Sequence, residues 1–405
     1  MTVFLLGGAQ TDFARNYARE GLDCSDLVRE VVEGTLADAA VDAEQVQTVH
    51  VGNAFGQLFT GQGHLGAMPA TVVPGLWGAP ASRHEGACAS GSLALLAASA
   101  EIEAGRYDVA LVVGVEQERS VPGDEAARLL RAAAWVGHED DDVPFVWPHQ
   151  FARVAEEYDR RFGLDHAHLA GIAELNHRNA KDNPYAQTRT WTVADFGEDD
   201  ERNPVVAGVV RRSDCSQVTD GGAGLVLAGA EFATEWARRH GRDLATVPRL
   251  LGWGHRTVGL PLEDKLRRSA SSSYVLPHVR EAFLDALRRA GLPDVFALDG
   301  VETHDCFSPS EYLAIDHLGI TAPGESWKAV ESGTLERDGE LPVNPSGGLI
   351  GLGHPVGATG VRMALDAVRQ VTGTAGGCQV EGARAFGTLN IGGSTTTTVS
   401  LLIGV

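Results

Sequence analysis

The stretch Phe4-Leu-Leu-Gly-Gly-Ala-Gln-Thr11 reads as a strand that ends in small and polar residues, and it has a counterpart in Leu250-Leu-Gly-Trp-Gly-His-Arg-Thr257. A second pair follows in the same order, because Val49-His-Val-Gly-Asn-Ala-Phe55 lines up with Val301-Glu-Thr-His-Asp-Cys-Phe307. Chance can produce either match alone. Their shared order indicates that the last third of the chain repeats the first.

A third match extends the repeat. A turn that enters a helix begins at Cys88 in the first copy and at His354 in the second. Three matches in one order make duplication the better explanation. Two similar halves bring equivalent loop ends together, and ligands of α/β sheets bind at such ends. The repeat therefore predicts a ligand site where the two halves meet.

Strand-like runs alternate with amphipathic helical runs at both ends of the chain, which is typical of α/β folds. The helix predicted over 89–104 is apolar on most faces, as helices buried between layers are. The middle contains charged helices that we expect to form a cap, and its acidic run Glu139-Asp-Asp-Asp142 is expected to be a solvated loop. The predicted domains are an N-terminal half over 1–118, an inserted loop domain over 119–248 and a C-terminal half over 249–405.

The composition excludes several function classes. The 405 residues carry 33 Lys and Arg against 54 Asp and Glu, and this net charge of −21 argues against a nucleic-acid binder. Apolar stretches such as Val109-Ala-Leu-Val-Val-Gly-Val115 are far shorter than the roughly 20 residues of a membrane span. Five scattered cysteines, without a Cys-x-x-Cys pair or a secretory leader, do not suggest a disulfide framework or a zinc ribbon. We expect a cytoplasmic protein that acts on a small molecule.

The stretch Gly86-Ala-Cys-Ala-Ser-Gly91 places Cys88 at the turn that enters the apolar helix. The helix dipole and free N–H groups favour a thiolate there, and the same N–H groups can hold an oxyanion. A buried structural cysteine is the alternative interpretation. The small residues around Cys88 favour a nucleophile, because they let a substrate approach the backbone.

Two further stretches carry histidines. His304-Asp-Cys-Phe307 ends a predicted strand, so that His304 and Cys306 point the same way; an ordinary strand end is the alternative, and a metal pair is a weaker one. The glycine-rich stretch over 344–360 exposes His354 between Gly353 and Pro355, and it matches neither a Rossmann fingerprint nor a P-loop.

Together these motifs resemble the thiolase superfamily, and most closely its sterol-carrier-protein-2-type (SCP2-type) thiolases. The resemblance covers essentially the whole chain and rests on four ordered motifs, Cys88-Ala-Ser-Gly91, His304-Asp-Cys-Phe307, Gly353-His-Pro355 and Asn390-Ile-Gly-Gly393. It implies a thiolase fold in which duplicated halves form a five-layer αβαβα body with an inserted loop domain. It also implies CoA-dependent cleavage of a 3-oxoacyl-CoA, or the reverse Claisen condensation.

The resemblance also implies catalytic roles. Cys88 matches the nucleophile that becomes acylated, and His354 matches the histidine that activates it and helps to bind the thioester oxygen. His304 stands where other thiolases have an asparagine, as in the SCP2 type. The backbone N–H groups of Cys88 and Gly392 would form the oxyanion hole.

One position departs from many thiolases. The acid/base cysteine of their C-terminal Cys-x-Gly motif is replaced by Asn390. The step at the α-carbon of a thioester needs a group with a pKa above neutrality, which a thiol has and an asparagine lacks. SCP2-type members can supply this thiol from the His-Asp-Cys-Phe motif, so Cys306 is the candidate.

The expected ligands are acyl-CoA and CoA as substrates, with no metal and no further cofactor. We expect a homodimer or homotetramer, no contact with nucleic acid or membrane, and for some relatives a small zinc-ribbon OB-fold partner protein. Because CoA is anionic, arginines must face it, and the sequence offers four candidates without selecting among them: Arg211, Arg212, Arg267 and Arg268. Three tryptophans either line a bulky pocket or pack in a core: Trp135, Trp147 and Trp191.

Two other functions stay open. One is a thiolase-fold protein with aldolase or ketosynthase-like chemistry, and the other is a non-catalytic acyl-CoA or lipid-binding partner protein. Aldolase relatives of this fold have lost the nucleophilic cysteine and the histidine of Gly-His-Pro. Retention of both Cys88 and His354 therefore favours thiolysis or condensation.

Overall fold

A computed structural model describes residues 2–405. Its strands are β1 (Phe4–Gln10), β2 (Thr48–Gly52), β3 (Ala81–His84), β4 (Val109–Glu116), β5 (Val205–Ala207), β6 (Val210–Arg211), β7 (Gly221–Ala228), β8 (Arg249–Thr257), β9 (Val301–Thr303), β10 (Ala385–Gly392) and β11 (Thr397–Gly404). Its helices are α1 (Cys24–Ala39), α2 (Gly56–Thr60), α3 (Met68–Val72), α4 (Ser90–Glu103), α5 (Gly123–Leu130), α6 (Val146–Phe162), α7 (His166–Ala180), α8 (Ala230–Arg239), α9 (Leu262–Arg268), α10 (Pro277–Ala290), α11 (Ser308–Leu318), α12 (Ser326–Ser332), α13 (Gly348–Leu352) and α14 (Thr359–Thr372). Within residues 2–405 no helix combines the length and apolarity that a bilayer crossing requires.

Two mixed sheets meet along one short seam. The N-terminal half has the strand order β3-β2-β4-β7-β1 and the C-terminal half has the order β8-β11-β10-β9. Phe4 of β1 pairs with Arg249 of β8 at the seam, and the Leu5 N–H donates to the Pro248 carbonyl from 2.8 Å. Hydrogen bonds join the two halves at this seam, while most of each strand pairs within its own half.

Alternating side chains along the strands build separate cores on the two faces of each sheet. On β4, Leu111 and Val113 pack with α1 in one outer core, whereas Ala110 and Val112 face α4 and α14. The C-terminal sheet contributes Leu401 to the same central core from the other side. The helix α4 is apolar all round because it lies between two sheets. The resulting order of layers is helix, sheet, helix, sheet, helix, which confirms the predicted five-layer αβαβα body.

The internal repeat corresponds to repeated elements. The order strand, helix, strand occurs as β1, α1 and β2 in the first half and as β8, α10 and β9 in the second. The buried helix α4 follows the turn that begins at Cys88, and the buried helix α14 follows the turn that begins at His354. The two buried helices contact one another in the central layer. The turns that precede them therefore open at the same end of the molecule.

The segment between the halves contains the insertion and also the closing elements of the N-terminal half. Helices α6 and α7 pack against α11, and the hairpin of β5 and β6 packs against α6. Strand β7 pairs with both β4 and β1, so β7 and α8 lie with the N-terminal half. The predicted segment 119–248 therefore includes two kinds of structure. Its first part covers the site, whereas β7 and α8 complete the N-terminal half.

The acidic run is anchored, contrary to the expectation of a solvated loop. Glu139 is 9 % exposed and accepts the Leu262 N–H from 2.6 Å. The Asp140 carboxylate accepts the Gln150 amide from 3.0 Å. These contacts fix the insertion to α9 and to its own helix α6.

We expect Gly254→Ala to destabilise the protein strongly. A Cβ atom at Gly254 would lie 1.7 Å from the Ala282 carbonyl oxygen, because α10 packs directly on the backbone of β8. Helix and strand must separate, which costs about 3 kcal/mol of unfolding free energy or more. Denaturant unfolding measures the loss. Gly259→Ala is the control, since its nearest neighbour would be 3.8 Å away, and an equal loss in both variants would contradict the packing argument.

Candidate active site

Cys88 lies on a tight turn directly before α4. The preceding Ala87 has a φ of +51°, in the left-handed region that side chains other than glycine rarely adopt. The Ser90 hydroxyl holds the turn, because it accepts the Gly86 N–H from 3.0 Å and donates to the Ala87 carbonyl from 2.6 Å. The strained turn presents the Cys88 thiol at the wall of a cavity instead of packing it in the helix layer.

His354 lies on the loop between α13 and α14. Its N–H donates to the Thr219 hydroxyl from 3.0 Å, and its Nδ1 lies 2.7 Å from the Thr359 hydroxyl oxygen. That hydroxyl donates its own proton to the Pro355 carbonyl, 3.0 Å away, so it accepts from Nδ1–H. The remaining Nε2 therefore carries a lone pair, and it is buried without a hydrogen-bond partner. This nitrogen has the character of a base.

His304 follows β9 and has the opposite tautomer. The Asn390 amide Nδ2 donates to His304 Nδ1 over 3.2 Å, and the orientation of that amide is fixed because its oxygen accepts the Ser92 hydroxyl from 2.8 Å. The proton of the His304 ring is thus on Nε2. This nitrogen has the character of a hydrogen-bond donor.

The structure brings three of the residues selected from the sequence together. The Cys88 sulfur and one ring nitrogen each of His304 and His354 lie within 4.8 Å of one another. The two imidazole rings meet edge to face, with centroids 5.1 Å apart and planes at 82°. One thiol, one base and one donor therefore converge at the predicted junction of the two halves.

Burial keeps all three groups neutral at rest. Burial, and then the nearby Glu118, raise the pKa of Cys88 to about 12, against the smaller opposing effect of the Gly393 and Cys88 N–H groups. This corrects the expectation that the helix terminus would favour a thiolate. Burial, and then Arg362, lower the pKa of His354 to about 3, and burial lowers the pKa of His304 well below its ordinary value. The thiol must therefore lose its proton during attack rather than before it.

Cys306 lines the same cavity as Cys88. Its sulfur is buried and lies 3.8 Å from the Ser310 hydroxyl. Burial and then the neighbouring Cys88 raise the pKa of Cys306 well above its ordinary value. The thiol is therefore protonated, and it faces the space in which a substrate of Cys88 would lie.

Two glycines lie close to the Cys88 turn. Gly393 lines the cavity, and its backbone lowers the pKa of the thiol slightly against the effect of burial. Gly392 ends β10, opposite Thr397, and a Cβ atom there would lie 2.0 Å from the Gly86 carbonyl oxygen. Gly392 thus permits the Cys88 turn to approach β10, and its part in an oxyanion hole stays a prediction.

The cavity above the thiol has a volume of about 490 Å³. Its walls are mostly apolar, with Leu130 of α5 and both Val146 and Phe151 of α6 on the side of the insertion. Trp147 lines it as well, whereas Trp135 and Trp191 lie outside its lining. The inserted helices therefore form the part of the wall that an acyl chain would contact.

Three buried carboxyl groups next to the site were not found by the sequence analysis. Glu116 accepts backbone N–H groups from both halves, Asp220 accepts three N–H groups, and Glu118 lines the cavity. Nothing in the sequence around Glu118 distinguishes it from a surface residue, because its burial depends on segments about 100 and 240 residues further along the chain.

The cluster of one sulfur and two nitrogens is a donor set that zinc accepts. Its surroundings oppose a metal, since a metal on His304 Nε2 would require the proton to move to Nδ1, which faces the Asn390 amide donor. That amide is held in its orientation by Ser92. The geometry therefore fits acid/base and nucleophilic chemistry better than metal binding.

Comparison with known proteins agrees with the motifs. Residues 3–193 match the family model "Thiolase, N-terminal domain", and residues 263–405 match "Thiolase C-terminal domain-like". The chain is 33 % identical over 392 residues to acetyl-CoA acetyltransferase of Methanothermobacter thermautotrophicus, with 97 % of this chain and 96 % of that one covered. It is 28 % identical to human sterol carrier protein 2, over 98 % of this chain and 71 % of that one. A solved structure described as "Ltp2-ChsH2(DUF35) aldolase" shares the fold, with a TM-score of 0.77 at 21 % identity over 100 % of this chain and 98 % of that one.

We expect a chelator to leave activity unchanged. The His304 tautomer fixed by Asn390 presents an N–H rather than a lone pair to the thiol, so removal of divalent metal removes nothing that the site uses. Turnover of a 3-oxoacyl-CoA before and after dialysis against a chelator measures this. A loss of activity that zinc restores would contradict the tautomer assignment.

Proposed function

The chain belongs to the thiolase family, and we propose that it transfers acyl groups to and from CoA through a covalent intermediate on Cys88. It is a CoA-dependent acyltransferase of the thiolase type, which cleaves a 3-oxoacyl-CoA or forms one by Claisen condensation. One observation supports the proposed intermediate most directly: the Cys88 thiol shares a cavity with the unpartnered Nε2 of His354, and both lie in one cluster with His304.

In the first step of cleavage, Cys88 attacks the 3-keto carbon while His354 Nε2 takes the thiol proton. The N–H groups of Cys88 and Gly392, the predicted oxyanion hole, stabilise the resulting oxyanion. The bond between C2 and C3 then breaks, and its electron pair forms the enolate of the shorter thioester. His304 Nε2–H donates to the enolate oxygen, and the Cys306 thiol gives its proton to C2.

In the second step, the Cys306 thiolate takes the proton of the CoA thiol, and the CoA sulfur attacks the acyl carbon on Cys88. The Cys88 sulfur leaves and recovers its proton from the His354 imidazolium. Both residues return to the neutral state that burial favours. Condensation follows the same path in reverse.

Two other activities make different predictions. Aldolase or ketosynthase-like chemistry on this fold is the first, and a non-catalytic acyl-CoA or lipid-binding role is the second. The base character of His354 next to the thiol favours acyl transfer, because neither a carrier nor an aldolase without a nucleophile needs that pair. Formation of a covalent acyl adduct from acyl-CoA distinguishes the three activities.

We expect Cys88→Ala to abolish acylation by acyl-CoA, whereas Cys306→Ala becomes acylated but does not complete cleavage or condensation. The reason is that Cys88 supplies the nucleophile and Cys306 supplies only the proton for carbon. Intact-protein mass spectrometry measures the adduct, and turnover of a 3-oxoacyl-CoA measures the second step. A loss of about 100-fold or more in turnover is expected for Cys306→Ala.

Cys24→Ala is the control, because Cys24 is buried in the outer core beside α1 and lies outside the cavity. It should form the adduct and turn over as the unaltered protein does. Normal acylation of Cys88→Ala would refute the nucleophile assignment, and full turnover by Cys306→Ala would refute the assigned proton donor.

For the CoA moiety we propose Arg212 as the contact. Arg212 lines the cavity, and within residues 2–405 no carboxylate lies within 4.0 Å of its guanidinium. The neighbouring Arg211 is instead paired with Asp200 at 2.8 Å, and Arg267 is paired with Asp264. The Arg212 guanidinium donates to the Arg202 carbonyl oxygen from 2.8 Å, and a cation without an acidic partner in the cavity lining suits a phosphate group of CoA.

We expect Arg212→Ala to raise the KM for acyl-CoA about tenfold with little change in kcat, because a charge-assisted contact outside the reacting centre is lost. Arg267→Ala is the matched control, as it removes a surface arginine that is already paired. Steady-state kinetics with acyl-CoA as the varied substrate measure both. An unchanged KM in Arg212→Ala would exclude this contact.

We also propose that copies of the chain assemble as a homodimer or homotetramer. The short edge strand β3 is paired on one side by β2, and in the described part of the chain its other side has no strand partner. A small zinc-ribbon OB-fold partner is the further assembly that the DUF35 component of the structural neighbour suggests. Light scattering of the purified chain and co-purification with an untagged partner test these assemblies.

CoA is proposed as a substrate and not as a resident cofactor. The five free thiols suit the cytoplasm, which we propose as the compartment.

A further inference from the structure

Glu118 lines the cavity, whereas the neighbouring acids Glu116 and Asp220 do not. It follows the last residues of β4, is 1 % exposed, and lines the cavity that contains Cys88 and His354. Its Oε1 is buried and has no hydrogen-bond partner. Burial disfavours the charged form of this carboxyl group, and the backbone N–H groups of Thr219 and Val356 oppose that effect only in part.

The neighbouring Asp220 has hydrogen-bond donors for its carboxylate, unlike Oε1 of Glu118. Its carboxylate accepts the N–H groups of Tyr17, Glu118 and Arg119 from 3.0, 2.8 and 2.7 Å. The Arg119 guanidinium does not neutralise Glu118, because it donates to the Ala14 and Arg15 carbonyl oxygens. Burial raises the pKa of Asp220, and these three N–H groups oppose that rise by favouring the anion.

Glu116, the second neighbour, also has hydrogen-bond donors for its carboxylate. It accepts the N–H groups of Ala54, Phe55 and Gly357 from 2.8, 3.0 and 3.0 Å, and the amide of Asn53 from 2.9 Å. The cation on this side, the Arg83 guanidinium, donates to the carbonyl oxygens of residues 53 and 54. Burial, and then the charges of Glu116 and Asp220, raise the pKa of Glu118 well above its ordinary value.

We propose that Glu118 is a further functional residue of this site, a carboxylic acid that stays neutral beside Cys88 in the working enzyme and whose ionisation suppresses the nucleophile. The inference rests on the proposed role of Cys88. A thiolate and a carboxylate that share one dry cavity repel each other strongly, so the two groups do not ionise together. The sulfur gains negative character during attack, and a neutral Glu118 does not oppose it.

The pH dependence follows from the direction of these shifts. Below the raised pKa of Glu118 the carboxyl group is neutral and Cys88 is competent. Above that pKa the carboxylate raises the pKa of Cys88 further, and activity falls as the pH rises. Among the other titratable groups that line the cavity, burial lowers the pKa of His354 to about 3 and raises the pKa values of the Cys215 and Cys306 thiols.

Alkylation of Cys88 tests the inference without any turnover. In Glu118→Gln the neutral amide replaces the acid with nearly the same shape, so the Cys88 thiolate forms at lower pH. At pH values above the raised pKa of Glu118, we expect iodoacetamide to modify Cys88 at least about tenfold faster than in the unaltered protein, as one pKa unit implies. Mass spectrometry of the Cys88 peptide over a pH series gives the rate, with the Cys306 and Cys215 peptides as internal references. In kcat/KM, the alkaline limb should move to higher pH.

Glu125→Gln is the matched control, because Glu125 is exposed, paired with Arg128 and outside the cavity. It should leave the alkylation profile unchanged. If Glu118→Gln fails to fold, Glu118→Met removes the same charge and should give the same shift. An unchanged Cys88 profile in a folded neutral variant would overturn the proposal, as would failure of both variants to fold. A shifted alkylation profile without any turnover would instead refute the proposed function alone.

Discussion

The buried carboxylate of Glu116 holds the two halves of the molecule together at the site. Its donors come from both halves, with Asn53, Ala54 and Phe55 on the loop after β2 and Gly357 on the loop that carries the proposed base. Burial raises its pKa to about 7, while these N–H groups favour the anion. A carboxylate in this position is satisfied only when both loops are in place. Glu116 therefore links the loop after β2 to the loop that carries His354.

Glycines make that convergence sterically possible. A Cβ atom on Gly91 or Gly114 would lie 2.9 or 2.7 Å from the Gly357 carbonyl oxygen, and one on Gly52 would lie 2.6 Å from the Gly91 Cα. The backbones of the two halves thus touch without side chains between them. The glycine surplus of the sequence, 49 residues in 405, is concentrated in part at this contact. These loops need glycine because their backbones approach each other closely, more than because they adopt unusual backbone angles.

The sequence analysis succeeded where information is local or repeated. The resemblance of the motifs to thiolases implied the layered fold, the duplication predicted a site where the halves meet, and the motifs selected Cys88, His304 and His354, which converge in the structure. It was wrong about the acidity of the Cys88 thiol, because a helix dipole is visible in the sequence whereas burial is not. It also missed Gly393 and Glu118 as residues that line the cavity. Both depend on contacts between distant segments, which a single sequence does not encode in any local pattern.

The neutrality of the site explains how a strongly acidic chain can work on an anionic substrate. The two histidines are uncharged, and their tautomers are set by different neighbours, Thr359 for His354 and Asn390 for His304. One side-chain type thus serves as base at one position and as donor at the other. Charge develops only while bonds change, inside a cavity with mostly apolar walls, where preorganised N–H groups are most effective. The acidic residues behind the net charge of −21 are therefore mostly outside the cavity lining. A local cation such as Arg212 in that lining is enough to attract CoA.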